Sequence, residues 1–227
     1  MVGVEALVRW HHPDLGLLYP DQFLPLARHN ALMQAMTELV VQRALHDAAV
    51  WHARGLRIPL AVNLFPPTLA DLDLPVRLAH ALECHGLTSS ALEVEITEEF
   101  MLGNLDRARI VLTGLHRLGI RIAIDDFGSG YSSLYYLCEL PIDEVKLDRS
   151  FIASITEDLR AAAIVRSVID LSHALALTTV AEGVENPRTA VLLTGYGCDI
   201  AQGHYFSHPI TAEEVLHPHL VTEPSHT

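Results

Sequence analysis

Hydrophobic positions along this chain fall into two alternating patterns. Short apolar runs rich in Val, Ile and Leu predict buried strands, and between them apolar residues recur at helical spacing. The strand-like runs are 2–8, 58–64, 92–98, 120–124, 142–147, 178–181 and 198–201. The first carries a single acid, Glu5, and runs on to a turn at His12-Pro13-Asp14. Helices are predicted from Pro20-Asp21 onward, over 33–54, 75–85, 105–118, 158–175 and 187–194, with a short one near 133–138. In the longest, Leu39, Val40, Ala44, Leu45 and Ala48 mark the apolar face, and Gly55 stops it. Gly86 and Gly119 end the next two.

Strand-helix alternation with short connections predicts a parallel sheet covered by helices, the α/β class. With no internal repeat or linker in view, residues 1–217 are expected to form one domain and 218–227 a flexible tail. Seven strands is one short of a (β/α)₈ barrel. Because the chain begins inside a strand, the expectation is a TIM-like barrel lacking its first strand at the amino terminus.

The polar residues at the carboxyl ends of these strands stand out. They are Glu5, Asn63, Glu95, the adjacent pair Asp125-Asp126, Lys146 and Glu182, contributed by six strands in succession. In a barrel those ends converge on the active-site face. Neighbouring strand residues point to opposite faces. Asp125 and Asp126 can therefore serve one site only where the backbone is already turning, as the following Phe127-Gly128-Ser129-Gly130 suggests.

Composition sharpens this picture. Of 227 residues, 50% are hydrophobic and 19% charged, enough for a large core. The formal net charge of -13 argues against nonspecific binding to nucleic acid, which needs a basic stripe. A small phosphate ligand stays open if cations bridge it to the acids. Cys84, Cys138 and Cys198 form no metal spacing and fit a reducing compartment. His11-His12 and His217-x-His219 read as surface residues. No apolar run is long enough for a membrane span, and no basic leader precedes the first strand.

Carboxylates with one amide oxygen are hard ligands, suited to Mg²⁺ or Mn²⁺. Two adjacent aspartates with further oxygen donors can hold two cations ~3.5–4 Å apart, the geometry of in-line displacement at phosphorus. Lys146 can then bind a water or a phosphate oxygen, and a remaining carboxylate can act as base. The residues alone predict a two-metal phosphoester hydrolase.

The motifs carry a resemblance. Glu5-Ala6-Leu7-x-Arg9-Trp10 is similar to the signature of the EAL family of bacterial cyclic di-GMP phosphodiesterases. The order and spacing of Val62-Asn63-Leu64, Glu95-Ile96-Thr97-Glu98 and Asp125-Asp126-Phe127-Gly128-Ser129-Gly130 agree with it. So do Lys146-Leu147-Asp148, Ala181-Glu182-Gly183-Val184-Glu185 and Gln202-Gly203.

The resemblance implies metal-dependent hydrolysis of cyclic di-GMP to linear pGpG, with two Mg²⁺ or Mn²⁺ ions. It implies Glu5, Asn63, Glu95 and Asp125 as ligands of one ion and Asp126 as ligand of the second or as a bridge. It implies Lys146 beside the catalytic water and Glu182 as general base. Arg9, Leu7 and Gln202 would meet substrate, and Glu98 and Glu185 would position the Asp-Phe-Gly-Ser-Gly loop. It further implies a homodimer, an upstream sensory or diguanylate-cyclase-like domain, and a cytoplasmic setting with any membrane anchor lying outside this segment. A non-catalytic cyclic di-GMP receptor is the alternative. Three positions depart from the family pattern. Phe65 stands where serine is typical, Arg28 replaces a common glutamate, and His204 replaces a tyrosine.

Overall fold

A computed structural model describes residues 1–97, 105–128 and 134–217. They divide into two compact units, one of 1–96 with 105–120, the other of Thr97, 121–128 and 134–217.

In the first unit, β1 (Val4–Glu5), β4 (Leu60–Leu64) and β5 (Leu92–Thr97) form a parallel ladder. Glu5 lies opposite Ala61, and Asn63 lies directly opposite Glu95. Between β1 and β4 the chain adds a hairpin, β2 (Trp10–His12) and β3 (Gly16–Leu18), then α1 (Pro20–His29) and α2 (Met33–Ala53). The hairpin turn falls where His12-Pro13-Asp14 predicts it. His12 holds it, its Nδ1 accepting from the N–H groups of Asp14 and Leu15 at 3.1 and 3.2 Å. The paired strands themselves are too short to show a period, and sequence reading passes over them.

Helix α2 buries Met33, Thr37, Val41, Ala44, Leu45, Ala48 and Trp51, a single stripe at helical period. Leu39, read from sequence as part of that stripe, is instead 70% exposed, and Val41 takes the inner position. Helices α3 (Leu74–Cys84) and α4 (Leu105–Arg117) complete the unit. Leu78, Leu82, Val111, Leu112 and Leu115 are among their buried positions. Gly119 ends α4 at φ 82, a left-handed conformation that glycine adopts without steric cost.

The second unit contains β6 (Arg121–Phe127), β7 (Glu144–Leu147), β8 (Thr178–Ala181) and β9 (Ile200–Ala201), all in parallel pairing. Its helices are α5 (Leu134–Glu139), α6 (Arg149–Ser154), α7 (Leu159–Ala174) and α8 (Pro187–Gly195). Ile152, Val165, Ile169, Ala181 and Val184 form the centre of its core. Helix α6 is absent from the sequence reading, since one and a half turns cannot display a helical period. Its start is set by Asp148, whose Oδ1 accepts from the Ser150 N–H at 2.9 Å.

All seven strands predicted from the apolar runs are present, and every pairing among them that involves a described ladder is parallel. Among the described residues, no helix is long and apolar enough to cross a membrane.

Candidate metal centre

The strand ends of the first unit bring together three predicted residues. Asn63 Nδ2 donates to Glu5 Oε1 at 2.9 Å and to Glu95 Oε2 at 3.0 Å. The cause is register. Asn63 and Glu95 are direct partners on neighbouring strands, so their side chains share a face, and Glu5 reaches the same amide from the next strand. Glu95 is buried and Glu5 half-buried, and the amide gives each of them a hydrogen bond. The amide presents nitrogen, not oxygen, to both acids. Coordination through Oδ1, which the resemblance implies, requires a half-turn of the amide about its Cβ–Cγ bond.

The second unit solves a different problem. Ile124 pairs with Val145 and Phe127 with Leu147, so Asp125 and Asp126 together lie opposite the single residue Lys146. This is a β-bulge, and it places one extra residue in β6. Asp126 takes φ 53, a left-handed conformation uncommon outside glycine. The bulge breaks the alternation that would send the two acids to opposite faces. The sequence reading puts both carboxylates at a strand tip. The structure puts them inside the strand, which continues to Phe127.

Oxygens of Asp125, Asp126 and Glu182 lie within 4.8 Å of one another. Lys146, 2% exposed, ties the group together, with Nζ 2.6 Å from Glu182 Oε1 and 3.6 Å from Asp125 Oδ1. Lys146 pairs with Val180 in the ladder, so Glu182, two residues beyond Val180, projects from the same face. Burial, then the charges of Asp125 and Asp148, push the Asp126 carboxyl up to about 6, while Lys146 pulls it down. Three crowded carboxylates with one ammonium carry an excess of negative charge. That all-oxygen set fits hard divalent cations such as Mg²⁺ or Mn²⁺.

Asp148 belongs to this cluster and was not singled out from sequence. It shares a hydrogen bond with Asp126. Burial pushes Asp148 up, but hydrogen bonds from the Ser150 hydroxyl and N–H outweigh it and hold the group below the usual carboxylate range. The available signal was its spacing, two residues after Lys146 and so on the same face at a strand end.

Gly128 follows the acids at φ 99. A Cβ there would lie 2.7 Å from Cε2 of Phe151, on α6, so the chain leaves the bulge by a route open to glycine.

The remaining predicted residues are placed less tightly. Arg9 donates from Nη1 to the Val8 carbonyl at 2.8 Å and lies 4.9 Å from the centre of the Tyr19 ring. Leu7 is 44% exposed. Gln202 has an exposed side chain, while its backbone donates to Ala181 O at 2.8 Å and accepts from Val184 N at 3.0 Å. Glu185 is exposed in the turn before α8. Glu98 and the loop residues 129–133 lie outside the described residues, as does the tail at 218–227.

These two oxygen clusters, each at the carboxyl ends of parallel strands, can be set against known proteins. The family profile described as "EAL domain" matches residues 1–209. The chain belongs to the EAL domain family.

Among its relatives is the cyclic di-GMP phosphodiesterase NbdA of Pseudomonas aeruginosa, 42% identical over 208 residues, 91% of this chain and 27% of that protein. The bifunctional diguanylate cyclase/cyclic di-GMP phosphodiesterase MucR of the same organism is 41% identical over 217 residues, 95% of this chain and 32% of that protein. The chain thus spans about a quarter to a third of the length of these curated relatives. A solved structure of the PaMucR phosphodiesterase in complex with c-di-GMP superposes with TM-score 0.89 at 41% identity, covering 95% of this chain and 87% of that one. The EAL enzyme Bd1971, in a form with cAMP and cyclic di-GMP bound, gives TM-score 0.88 at 30% identity, covering 94% and 59%. The fold class is therefore the TIM-like α/β barrel of EAL domains.

Proposed function

We propose that residues 1–217 form an EAL-type catalytic domain that hydrolyses cyclic di-GMP to linear pGpG. The observation that supports this most strongly is the second-unit cluster. Two adjacent aspartates are turned to one side by a bulge, and a third carboxylate is held beside them by a buried lysine. Glu5, Asn63, Glu95, Asp125 and Asp126 would hold two Mg²⁺ or Mn²⁺ ions. Such ions supply Lewis acidity at phosphorus and ease deprotonation of a bound water.

The chain's own groups do the rest. Glu182 accepts the proton of the attacking water, and the Lys146 ammonium, 2.6 Å away, holds the carboxylate in place. Water adds to the phosphorus of one phosphodiester as its bond to the departing ribose oxygen breaks, and that oxygen takes a proton from solvent, leaving linear pGpG. Three N–H donors on Lys146 allow it to contact the same water while paired with Glu182. Arg9, with four of its five N–H donors beyond the one given to Val8, would bind a phosphate oxygen. Leu7 and Gln202 would line the substrate path, and Glu98 and Glu185 would position the glycine loop.

The name of MucR, which joins a cyclase and a phosphodiesterase, supports a cyclase-like or sensory domain beside this one in the full protein, while a homodimer rests on the family resemblance alone. The exposed free thiols of Cys84 and Cys138 fit the reducing cytoplasm.

The test is conversion of cyclic di-GMP to pGpG, followed by chromatography, with Mn²⁺ present and after chelation. Metal-dependent product formation is expected. Tight cyclic di-GMP binding with no turnover by folded, Mn²⁺-loaded protein would make the chain a receptor instead.

A further inference from the structure

We infer that Tyr19 is a positioning residue for Arg9, given Arg9 as the phosphate-binding arginine proposed above, and that the β2–β3 hairpin serves to bring the two together. Register is the cause. The hairpin pairs Trp10 with Leu18, His11 with Leu17 and His12 with Gly16, antiparallel. One step further along, Arg9 falls opposite Tyr19. Residues opposite each other in an antiparallel pair share a face, with Cβ atoms ~4.5–5.5 Å apart. The side chains do meet, for Arg9 Cζ lies over the Tyr19 ring, 4.9 Å from its centre. That is within the range of cation–π attraction.

Both partners are held from behind. The Tyr19 N–H donates to Gln22 Oε1 at 2.8 Å, and its carbonyl accepts from the Gln22 N–H at 3.0 Å. This reciprocal pair fixes the entry of the chain into α1, whose first residue, Pro20, has its φ set by its own ring. Arg9 stands four residues beyond Glu5 and is half-buried, and its Nη1 donates to the Val8 carbonyl at 2.8 Å. The guanidinium is thus steadied by a ring and by one carbonyl. The ring contact is electrostatic and leaves the other N–H donors for the oxygens of a phosphate. An arginine held this way loses less rotamer freedom on binding than one free in solvent. Tyr19 therefore strengthens phosphate binding by pre-organising Arg9, without touching the ligand.

The experiment measures kcat and KM for cyclic di-GMP, and Kd by calorimetry in the slow Glu182→Gln background, for Tyr19→Leu and Tyr19→Phe. Each is made with Arg9 intact and with Arg9→Ala. Tyr19 is 51% exposed, so trimming it opens no core cavity, and circular dichroism checks the fold of each variant. Tyr19→Leu should raise KM and Kd roughly 3–30-fold with kcat little changed. Tyr19→Phe, which keeps the ring, should stay within about 2-fold of wild type. With Arg9→Ala already present, Tyr19→Leu should add nothing. An unchanged KM and Kd in Tyr19→Leu would reduce the contact to a strut of the hairpin and overturn the inference. So would a Tyr19→Leu effect that persists in Arg9→Ala, which would mean that the ring acts on the ligand directly. Both outcomes leave the proposed hydrolysis standing. A wild type that neither binds nor cleaves cyclic di-GMP overturns that function and the role of Tyr19 together.

Discussion

The two carboxylate clusters of this chain are held together by opposite means. In the first unit a neutral amide donates one hydrogen to each of two glutamates, and regular parallel register brings the three side chains together. In the second, a buried ammonium offsets part of the charge of three acids, and a bulge overrides the regular register. The difference is one of charge. The amide satisfies its acids without neutralising them, whereas Lys146 leaves Asp126 crowded enough to carry a raised pKa. The second cluster is thus the more strained in the absence of cations and the better placed to manage a proton.

The largest effect is expected at Glu182. Glu182→Gln keeps the shape and hydrogen-bonding reach but removes the base, and turnover of cyclic di-GMP should fall ~10²–10⁴-fold. An activity close to wild type would show that the proton leaves by another route.

Next is Lys146→Met, which leaves buried carboxylates without their ammonium and should cost about 3–5 kcal/mol in urea unfolding with metal withheld. Asn63→Ala removes only neutral donors and should cost less, ~2 kcal/mol. Equal losses would erase the distinction between the clusters.

A pH test follows from Asp126. Its folded pKa of about 6 lies above the ordinary 3.8, so its stabilising contribution is complete below the ordinary value and is lost as pH rises through 6. With metal withheld, Asp126→Asn should remove ~1–2 kcal/mol of that loss near neutral pH, a figure reduced for solvent screening. A variant whose stability parallels wild type across this range would place the strain elsewhere.

The smallest effect is expected at Asp199, away from both clusters. Burial raises this carboxyl, but hydrogen bonds from His173 and Thr179 outweigh it and hold it below the usual range. The stability it supplies is present above the unfolded pKa and lost as pH falls through the depressed one. Asp199→Asn should lower stability at neutral pH and flatten the acid limb of the stability curve, the difference from wild type vanishing as pH falls through the depressed pKa.

Much of this was legible in the chain itself. Apolar runs give away buried strands because parallel strands covered on both faces have few positions for polar residues, and all seven were found. The polar residues that cluster in each unit were legible because they stand toward the carboxyl ends of those runs. What stayed hidden depended on geometry that residue type does not encode. The bulge at Asp125-Asp126 is a matter of pairing with Lys146, and sequence alone suggested a turn. The orientation of the Asn63 amide is set by two glutamates from other strands. Helix α6 and the Trp10–Leu18 hairpin are too short to show a period. Asp148 entered only as the last residue of the Lys146-Leu147-Asp148 motif; it caps α6, and its carboxyl also meets Asp126.

The most direct measurement compares the Mn²⁺ dependence of cyclic di-GMP turnover in Glu5→Ala and Glu182→Gln. The account predicts that added Mn²⁺ restores much of the activity of Glu5→Ala, where a ligand is lost. It predicts no such recovery for Glu182→Gln, where the base is lost. Equal rescue of both would contradict the assignment of proton transfer to Glu182 and make it one more metal ligand.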